Sequence, residues 1–390
     1  MSVTAVMQEV VAEPAASPSR LTVVQLLPAL ENGGAERSAL EVSRALVEAG
    51  HRSVVVSAGG RMVERLQREG GEHVTLDIGS KSLRSLARIG PLRRILDGLA
   101  PDIVHARSRV PAWLGWYALR GLQPRPHFVT TMHGLNTPGR WSRIMTRGDR
   151  VIVVSQTVHD FVLSHYPRVD AARLSLIPRG IDPAAFPYGY RPEDIWRNRF
   201  AAEFPQLTGA PLLTLPGRGT RLKGHADAIA LLAGLRDRGI QARLLLLGIV
   251  EAGREAYVAE MQALAQARGV ADRVAFSPPR SDVRDVFAVS DLVLQLSNKP
   301  ESFGRTVIEA LSLCRPVLGY AHGGVGELLA ELYPAGRVPA GDVNKLIERA
   351  AELLVSAPPI APLQRYRLSD MQASVLALYR ELAAMPRVSR

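Results

Sequence analysis

The chain has 390 residues, of which 47% are hydrophobic and 22% charged, and its formal net charge is +11. This length accommodates two domains with separate cores, and the composition is that of a folded globular protein rather than a disordered or fibrous one. Aromatic residues make up only 5%. Because no basic–aromatic repeat or zinc-ligand spacing accompanies the positive charge, a nucleic-acid partner is disfavoured.

The N-terminal segment shows no targeting signal. Residues 1–20 contain Glu9 and Glu13 and lack both a basic leader and an apolar stretch of signal-peptide length, so we expect a disordered tail. Apolar runs such as Leu244–Val250 are far shorter than the roughly 20 residues that span a bilayer. The single cysteine, Cys314, precludes an intramolecular disulfide and fits a reducing compartment. These features predict a cytoplasmic protein.

Short apolar runs alternate with helical patterns from residue 21 onward. The first run, Leu21–Leu27, is followed by a Gly-Gly loop and a helical pattern that ends at Gly50. Five further runs of strand length follow at Ser53–Ser57, Asp102–His105, His127–Met132, Val151–Ser155 and Leu174–Ile177. Continuous apolar strands that alternate with helices are typical of a parallel sheet covered on both faces.

A second set of elements begins after the polar, proline-containing stretch at 182–204. Its strands are predicted at Pro211–Leu215, Ala242–Leu247, Val274–Phe276, Leu292–Leu296 and Pro316–Gly319. Its helices are predicted at Gly224–Arg238, Arg254–Arg268, Ser281–Val289, Arg305–Ser312 and Gly324–Leu332. The sequence thus predicts an α/β protein with two tandem doubly wound (Rossmann-like) domains at 21–185 and 186–365. A last helix within 366–390, at about Leu368–Ala384, would pack back across the junction, and ligands would bind in the central cleft.

Positive charge is dense in two stretches of the first domain. Residues 81–96 place apolar side chains at near-helical spacing among basic ones, and residues 140–147 combine three arginines with Trp141 and Met145. Basic amphipathic surfaces of this kind suit an anionic membrane face. The alternative is a solvated helix whose apolar side packs on its own sheet. We expect peripheral contact with the inner face of the cytoplasmic membrane.

The most specific pattern joins Glu301-Ser-Phe-Gly-Arg-Thr-Val-Ile-Glu309 to Gly217-Arg218 and Lys223. Two carboxylates flank a glycine at the predicted start of a helix, where unpaired N–H groups favour an anion. Arginine and lysine can hold a diphosphate, and carboxylates accept hydrogen bonds from sugar hydroxyls. The combination predicts a nucleotide-sugar site.

Across roughly 22–385 the chain resembles the retaining glycosyltransferases of the GT-B fold, in the large group-4 family of bacterial lipopolysaccharide, capsule and polysaccharide transferases. The resemblance is carried by Gly-Gly-Ala-Glu-Arg after the first strand, Met-His-Gly in the first domain, Gly-Arg-x4-Lys-Gly in the second, the glutamate pair, and Gly323-Gly324. The chain departs from the family at Arg179, where Asn is common, and at Ser277-Pro-Pro-Arg280, which lacks a usual glycine.

The resemblance implies four catalytic residues. His133, after the strand His127–Met132, and Glu301 would contact the donor sugar. Arg218 and Lys223 would bind the diphosphate and stabilise the charge that develops as it departs. The implied reaction moves a sugar from a nucleoside diphosphate to an acceptor hydroxyl with retention. No cofactor and no obligatory metal are implied, because Asp-x-Asp is absent and the cationic pair can replace a divalent ion.

Six further residues are implied to bind the nucleotide-sugar. The two glycines would let the backbone approach the diphosphate or acceptor closely, three consecutive backbone amides would bind phosphates, and a glutamate would bind the ribose. They are Gly33, Gly34, Phe303, Gly304, Arg305 and Glu309. In the same loop, Glu36 and Arg37 suit a helix-capping role as well as a site role.

Three alternatives remain open on the sequence. A sugar-nucleotide epimerase could share the architecture and would need no acceptor. A dinucleotide-binding dehydrogenase is disfavoured because residues 26–34 lack Gly-x-Gly-x-x-Gly. A non-catalytic binding protein at the membrane would not need all five motifs. The basic first domain favours an anionic or lipid-linked glycan acceptor of the cell envelope.

Overall fold

The computed structural model describes residues 20–31, 33–80 and 82–386, without the side chains of Leu83 and Arg84. The predicted tail therefore lies outside the described residues up to position 19, as do Asn32 and Lys81. Within the described part of the chain, no helix is both long and apolar enough to cross a membrane.

The first domain is built on a seven-stranded parallel sheet. Its strands are β1 (Thr22–Leu26), β2 (Arg52–Ser57), β3 (Glu72–Thr75), β4 (Ile103–Ala106), β5 (His127–Met132), β6 (Arg150–Val153) and β7 (Leu174–Leu176). Its helices are α1 (Gly34–Glu48), α2 (Val63–Arg68), α3 (Ile89–Leu99), α4 (Arg109–Leu119) and α5 (Gln156–His165). The strand order β3-β2-β1-β4-β5-β6-β7 reverses direction between β1 and β4, which is where such sheets bind ligands.

The second domain repeats this architecture with a six-stranded parallel sheet. Its strands are β8 (Leu212–Pro216), β9 (Arg243–Leu247), β10 (Val274–Ser277), β11 (Leu292–Gln295), β12 (Val317–Tyr320) and β13 (Arg337–Val338). Its helices are α6 (Asp194–Glu203), α7 (His225–Asp237), α8 (Glu255–Ala267), α9 (Val283–Val289), α10 (Arg305–Ser312), α11 (Gly323–Leu332) and α12 (Val343–Val355). In the order β10-β9-β8-β11-β12-β13, the reversal lies between β8 and β11.

Apolar side chains that alternate along the strands pack against helices on both faces of the first sheet. Val24 and Leu26 of β1 belong to the large core that also contains α3 and α4, whereas Val23 belongs to a second core with α1. Successive side chains of a strand point to opposite faces, so a continuous apolar run needs helices on both. The prediction of a doubly wound α/β fold is therefore confirmed.

The last helix, α13 (Leu368–Ala384), packs on the first domain rather than on the second. Its Met371, Val375 and Leu382 lie in the core with α1 and the first sheet. The chain returns there through a short parallel bridge, in which the Ile181 N–H donates to the Tyr366 carbonyl and the Leu368 N–H donates to the Ile181 carbonyl, both at 2.8 Å. Burial of each such apolar side chain contributes about 1.5–3 kcal/mol, enough to hold α13 in place.

Candidate active site

The segments that follow the central strands of both sheets meet in the cleft between the domains. The Ser302 hydroxyl of the second domain donates to the His133 carbonyl of the first at 2.6 Å. Arg37, at the start of α1, reaches Glu309 of α10 at 2.9 Å. Two of the sequence motifs, one from each domain, therefore lie side by side at the two switch points.

The loop after β8 holds the predicted diphosphate-binding cations. Gly224, at the start of α7, has φ +74, and a Cβ there would lie 2.1 Å from the Leu296 carbonyl oxygen, so only glycine fits. The preceding Lys223 consequently faces Glu301, and its Nζ lies 2.5 Å from the Glu301 carboxylate. Arg218 is exposed, and the described residues offer it no ion pair.

Two glycines fix the Glu301 loop against the second sheet. A Cβ on Gly323 would lie 2.5 Å from the Glu301 carbonyl oxygen, and one on Gly324 would lie 2.5 Å from the Phe303 Cα. The Gly324 N–H also donates to the Glu301 carbonyl at 2.8 Å. The Gly-Gly pair therefore lets the start of α11 pack directly on the backbone that carries Glu301.

The residues predicted to present amides lie at the N-terminus of α10. Gly304 is the cap residue with φ +101, and the helix begins at Arg305. The Phe303 side chain is buried and packs 5.9 Å from the Tyr366 ring. The first turn of a helix leaves N–H groups without intrahelical partners, and here it lies next to Lys223 and Glu301.

A network of charged side chains joins the two domains. The Arg305 guanidinium, largely buried, makes two hydrogen bonds of 2.9 and 2.6 Å to the Glu41 carboxylate of α1. Arg37 contacts Glu41 at 3.3 Å and Glu309 at 2.9 Å. Burial opposes the charge of Arg305, but the hydrogen bonds and charge of Glu41 outweigh it and raise the pKa of Arg305. Sequence analysis assigned Arg305 only a backbone role and did not detect Glu41.

Glu309 lies at this network instead of on an open surface. It is 8% exposed, and one carboxylate oxygen accepts from Arg37 of the other domain. The implied ribose contact of Glu309 stays a prediction, and it would require ribose hydroxyls to share the carboxylate with Arg37 or displace it.

His105, near the end of β4, and His133, directly after β5, differ in their surroundings. His105 is fully buried, with Nδ1 2.5 Å from the Tyr379 hydroxyl and Nε2 2.7 Å from the Thr131 hydroxyl, so both ring nitrogens are occupied. His133 lies at the cleft, and its Nδ1 is 2.5 Å from Nη2 of Arg179. Burial, followed by the charges of Arg179 and other cations, holds the pKa of His133 well below its usual value, so the imidazole is neutral.

In the glycine loop after β1, Gly33 helps to cap α1, and there is open space beside Gly34. The Gly33 N–H donates to the Glu36 carboxylate, which supplies the glutamate half of a capping box at the start of α1. Apart from its chain neighbours and the backbone of its own helix, none of the described residues lies within 4 Å of a Cβ built on Gly34. Glu36 therefore serves the capping role that was one of its two alternatives, and Gly34 faces free space.

The turn at Ser277–Arg280 lies next to Gly248, whose N–H donates to the Ser277 carbonyl at 3.0 Å. Arg280 in this turn is already engaged, because its guanidinium bonds to Asp282 and to Glu203 of α6. Its side chain therefore anchors α6.

Two family models match the chain, one per domain. Residues 32–185 match "Glycosyltransferase Family 4", and residues 197–365 match "Glycosyl transferases group 1". The two matches together show that the chain is a glycosyltransferase. It is therefore an enzyme, and the GT-B fold predicted from its motifs is confirmed by its structural neighbours.

Relatives of this glycosyltransferase have diverse substrates. A 2-deoxystreptamine N-acetyl-D-glucosaminyltransferase from Streptomyces fradiae is 26% identical over 367 residues, which cover 83% of each chain. A D-inositol 3-phosphate glycosyltransferase from Mycolicibacterium smegmatis is 25% identical over 274 residues, which cover 66% of this chain and 60% of that protein.

Solved structures show the same fold. A glycosyltransferase from Rickettsia africae ESF-5 has a TM-score of 0.81 and 23% identity, covering 94% of this chain and 100% of that one. Anabaena HepE in complex with UDP and glucose has a TM-score of 0.74 and 19% identity, covering 93% of this chain and 100% of that one.

Proposed function

We propose that this glycosyltransferase moves a sugar from a nucleoside-diphosphate sugar to an acceptor hydroxyl with retention at the anomeric carbon. The observation that carries the proposal is the convergence of Lys223, Glu301 and the N-terminus of α10 on one face of the cleft. Cations and amide dipoles suit a diphosphate, whereas the carboxylate suits sugar hydroxyls. The likeness to HepE, which was solved with UDP and glucose, supports the same donor class.

In the proposed mechanism, the bond between the anomeric carbon and the diphosphate oxygen breaks while the acceptor oxygen attacks the same face. Negative charge develops on the diphosphate, where Arg218, Lys223 and the first amides of α10 stabilise it. A phosphate oxygen takes the acceptor proton. Because the protein supplies these cations, the proposal includes no obligatory metal.

Glu301 and Lys223 would exchange partners when the donor binds. In the structure, the Glu301 carboxylate accepts from Lys223 at 2.5 Å, from Gln295 at 3.2 Å and from Ser297. An incoming diphosphate would draw the ammonium away and free one carboxylate oxygen. That oxygen could then accept hydrogen bonds from the donor sugar, which couples sugar binding to diphosphate binding.

For the acceptor, we propose a glycan or glycolipid of cell-envelope biosynthesis. WaaG, whose structure is described as that of a glycosyltransferase involved in lipopolysaccharide biosynthesis, shares the fold at a TM-score of 0.65 and 18% identity. An epimerase of the same architecture remains the alternative. It would interconvert or hydrolyse the donor without an acceptor, whereas the transferase consumes donor only in proportion to acceptor.

A panel of nucleotides in a thermal-shift assay tests the donor site. We expect UDP- or GDP-type ligands at about 100 times their dissociation constant to stabilise the protein by about 2.7 kcal/mol, with or without a chelator. The matched monophosphates, which lack the β-phosphate, should give a smaller shift. Absence of a shift with every diphosphate would contradict the proposed site, and a shift that requires Mg²⁺ would contradict the metal-free mechanism.

The membrane contact that we propose would involve only part of the basic region of the first domain. Leu92 and Leu96 of α3 are buried in the core, so in this helix the alternative holds and the apolar side packs on its own domain. Met145 is also buried. Among the described side chains of α3 and the turn before it, Leu86 is the exposed large apolar one, at 54%.

An exposed aromatic–basic surface lies on α4 and the loop at 140–147. We define this surface by Trp113, Trp116, Tyr117, Trp141, Arg120 and Arg147. Trp141 is 51% exposed and stacks on Trp113 at 5.8 Å, and the two arginines lie over the Trp116 ring at 4.9 Å. Tryptophan and arginine together suit the headgroup region of an anionic bilayer, so we propose that this surface docks on the inner face of the cytoplasmic membrane.

Vesicle sedimentation tests the docking surface. We expect the protein to bind vesicles that contain phosphatidylglycerol, to bind neutral phosphatidylcholine vesicles weakly, and to lose most binding in Trp141→Ser because an exposed ring is removed. Val355→Ser, at an apolar side chain that is even more exposed on the second domain, is the matched control and should bind normally. Equal binding by Trp141→Ser and Val355→Ser would rule out this surface.

A further inference from the structure

Two guanidiniums are buried on the first-domain side of the cleft without a carboxylate partner. Arg107, directly after β4, is 3% exposed, and Arg179, after β7, is 6% exposed. Neither forms an ion pair with any residue that the structure describes. Their partners are neutral: Gln25 accepts from Arg107 at 2.7 Å, and Ser38 accepts from Arg179 at 2.6 Å.

Among the described residues, the buried side-chain atoms here that lack a hydrogen-bond partner are N–H donors. Nη2 of Arg107 is buried and has no partner among the described residues. An arginine can only donate, so Nδ1 of His133 must accept from Arg179, and the proton of the neutral ring lies on Nε2. That Nε2 is also buried and, within the described chain, unpartnered. A ligand atom that satisfies both groups must therefore be an acceptor.

The excess of positive charge at the centre of the cleft also favours a bound anion. Four guanidiniums lie near two carboxylates there, and the carboxylates of Glu41 and Glu309 are already paired with Arg305 and Arg37. Burial first, and then the neighbouring charges of Arg107 and Arg305, hold the pKa of Arg179 well below its usual value. An uncompensated buried charge is strongly destabilising, and a bound anion would compensate it.

We propose that Arg107, Arg179 and His133 form a subsite for an oxyanion, a carboxylate or phosphate group carried by one of the two substrates in addition to the donor diphosphate. This inference rests on the proposed function. The residues of this subsite belong to the first domain, whereas Arg218 and Lys223, which we assign to the diphosphate, belong to the second. The contact between Ser302 and the His133 carbonyl places it beside the Glu301 loop, at the sugar end of the donor.

Two sources supply this chemistry. The oxyanion is either the carboxylate of a uronic acid on the donor or an acidic group on the acceptor next to the hydroxyl that is glycosylated. In both cases the group would accept from Nη2 of Arg107 and Nε2 of His133, and its charge would be compensated by Arg179. The family's common asparagine at position 179 could supply hydrogen bonds but no charge.

The experiment compares matched neutral and anionic ligands on the full-length protein. In the donor arm, isothermal titration calorimetry compares the affinities for UDP-glucose and UDP-glucuronate. If the base proves to be guanine, the corresponding GDP-linked hexose and uronate are compared. In the acceptor arm, UDP is bound first, and the affinity for glucose is compared with the affinities for glucose 6-phosphate and glucuronate. We expect the anionic ligand to bind at least about 30-fold more tightly than its neutral partner in one arm, and that arm identifies the source.

Substitutions at Arg179 and Arg107 test whether the preference for the anionic ligand arises at this subsite. Arg179→Asn should abolish the preference while the affinity for UDP itself is unchanged, and Arg179→Lys should retain part of it. Arg107→Gln should give the same loss, and it keeps the test decisive if Arg179→Asn does not fold. No preference in either arm, or a preference that survives in folded variants at both positions, would overturn the inference. Failure of UDP and GDP to bind the unmodified protein would instead reject the proposed donor site.

Discussion

Replacement of Lys223 by alanine is expected to leave the protein folded and to reduce sugar transfer by about 10²–10³-fold, or roughly 3 kcal/mol of transition-state stabilisation. The Lys223 side chain lies in the cleft rather than in either core, and its partner there is the Glu301 carboxylate. The loss should appear mainly in kcat, because the charge that this ammonium stabilises develops on the leaving diphosphate. Arg218→Ala should act in the same direction. The measurement is kcat and KM with the donor identified by the nucleotide panel, together with a melting curve.

Arg221 provides the matched control for Lys223. It lies two residues away in the same loop, but its guanidinium forms two 2.6 Å hydrogen bonds with Glu260 of α8 and contacts the Tyr257 ring. Arg221→Ala removes a positive charge of the same loop that is directed to a different partner, so we expect turnover within a few-fold of the unmodified protein. Near-normal turnover by Lys223→Ala, or an equal loss in both variants, would show that Lys223 has no specific role at the diphosphate.

Replacement of Glu41 by alanine is expected to destabilise the protein by about 3–5 kcal/mol. Glu41 is the carboxylate that accepts both hydrogen bonds from Arg305 and lies 3.3 Å from Arg37. Its loss leaves the Arg305 guanidinium largely buried at the domain interface without the carboxylate that accepts its two hydrogen bonds, next to Arg107 and Arg179. Urea unfolding, followed separately for each domain if the transition has two steps, measures the change.

Two comparisons make this prediction specific. Glu64→Ala breaks an exposed pair with Arg68 of α2 and should change stability by no more than about 1 kcal/mol. In the double variant Glu41→Leu with Arg305→Leu, both charges are absent and most of the loss should be recovered, because no buried charge is left alone. If Glu41→Ala were as mild as Glu64→Ala, the buried pair would not be a stabilising contact between the domains.

The sequence predicted the regular elements where the local pattern is strong. The strand His127–Met132 and the helices Arg305–Ser312 and Leu368–Ala384 have the bounds that the patterns indicated. Two of the strands that were missed lack such a pattern. The edge strand β3 is half-exposed and reads Glu-His-Val-Thr, and β13 has only two residues, so neither contains an apolar run.

Two of the helices that were missed, α4 and α6, also lack a clear amphipathic pattern. α4 is apolar around most of its circumference and contains Pro111 near its start, so no amphipathic stripe marks it. α6 falls within the polar stretch that was interpreted as a boundary, and it becomes helical while burying Trp196 and Phe200 against the second domain. In both cases packing against a distant element, and not local periodicity, stabilises the helix.

What the sequence by itself determined about this protein is the set of backbone positions that allow a nucleotide-sugar site. Glycines such as Gly224 and Gly324 occupy places where a Cβ would meet the backbone of another segment, and the start of α10 follows from its own residues. Such features depend on the residue and its near neighbours. They can be recognised in a linear motif, and together with the order of the motifs they identified the fold.

Only the tertiary structure decided which charged side chains meet. Arg37 and Glu309 are 272 positions apart, and Glu41 and Arg305 are 264 apart, so no local pattern relates them. His105 and His133 both lie at the carboxyl ends of apolar strands, yet His105 is hydrogen-bonded to Tyr379 of the last helix, whereas His133 contacts Arg179. Pairing and burial depend on the distance between elements remote in sequence, and these distances are set by how the two sheets and the returning helix pack.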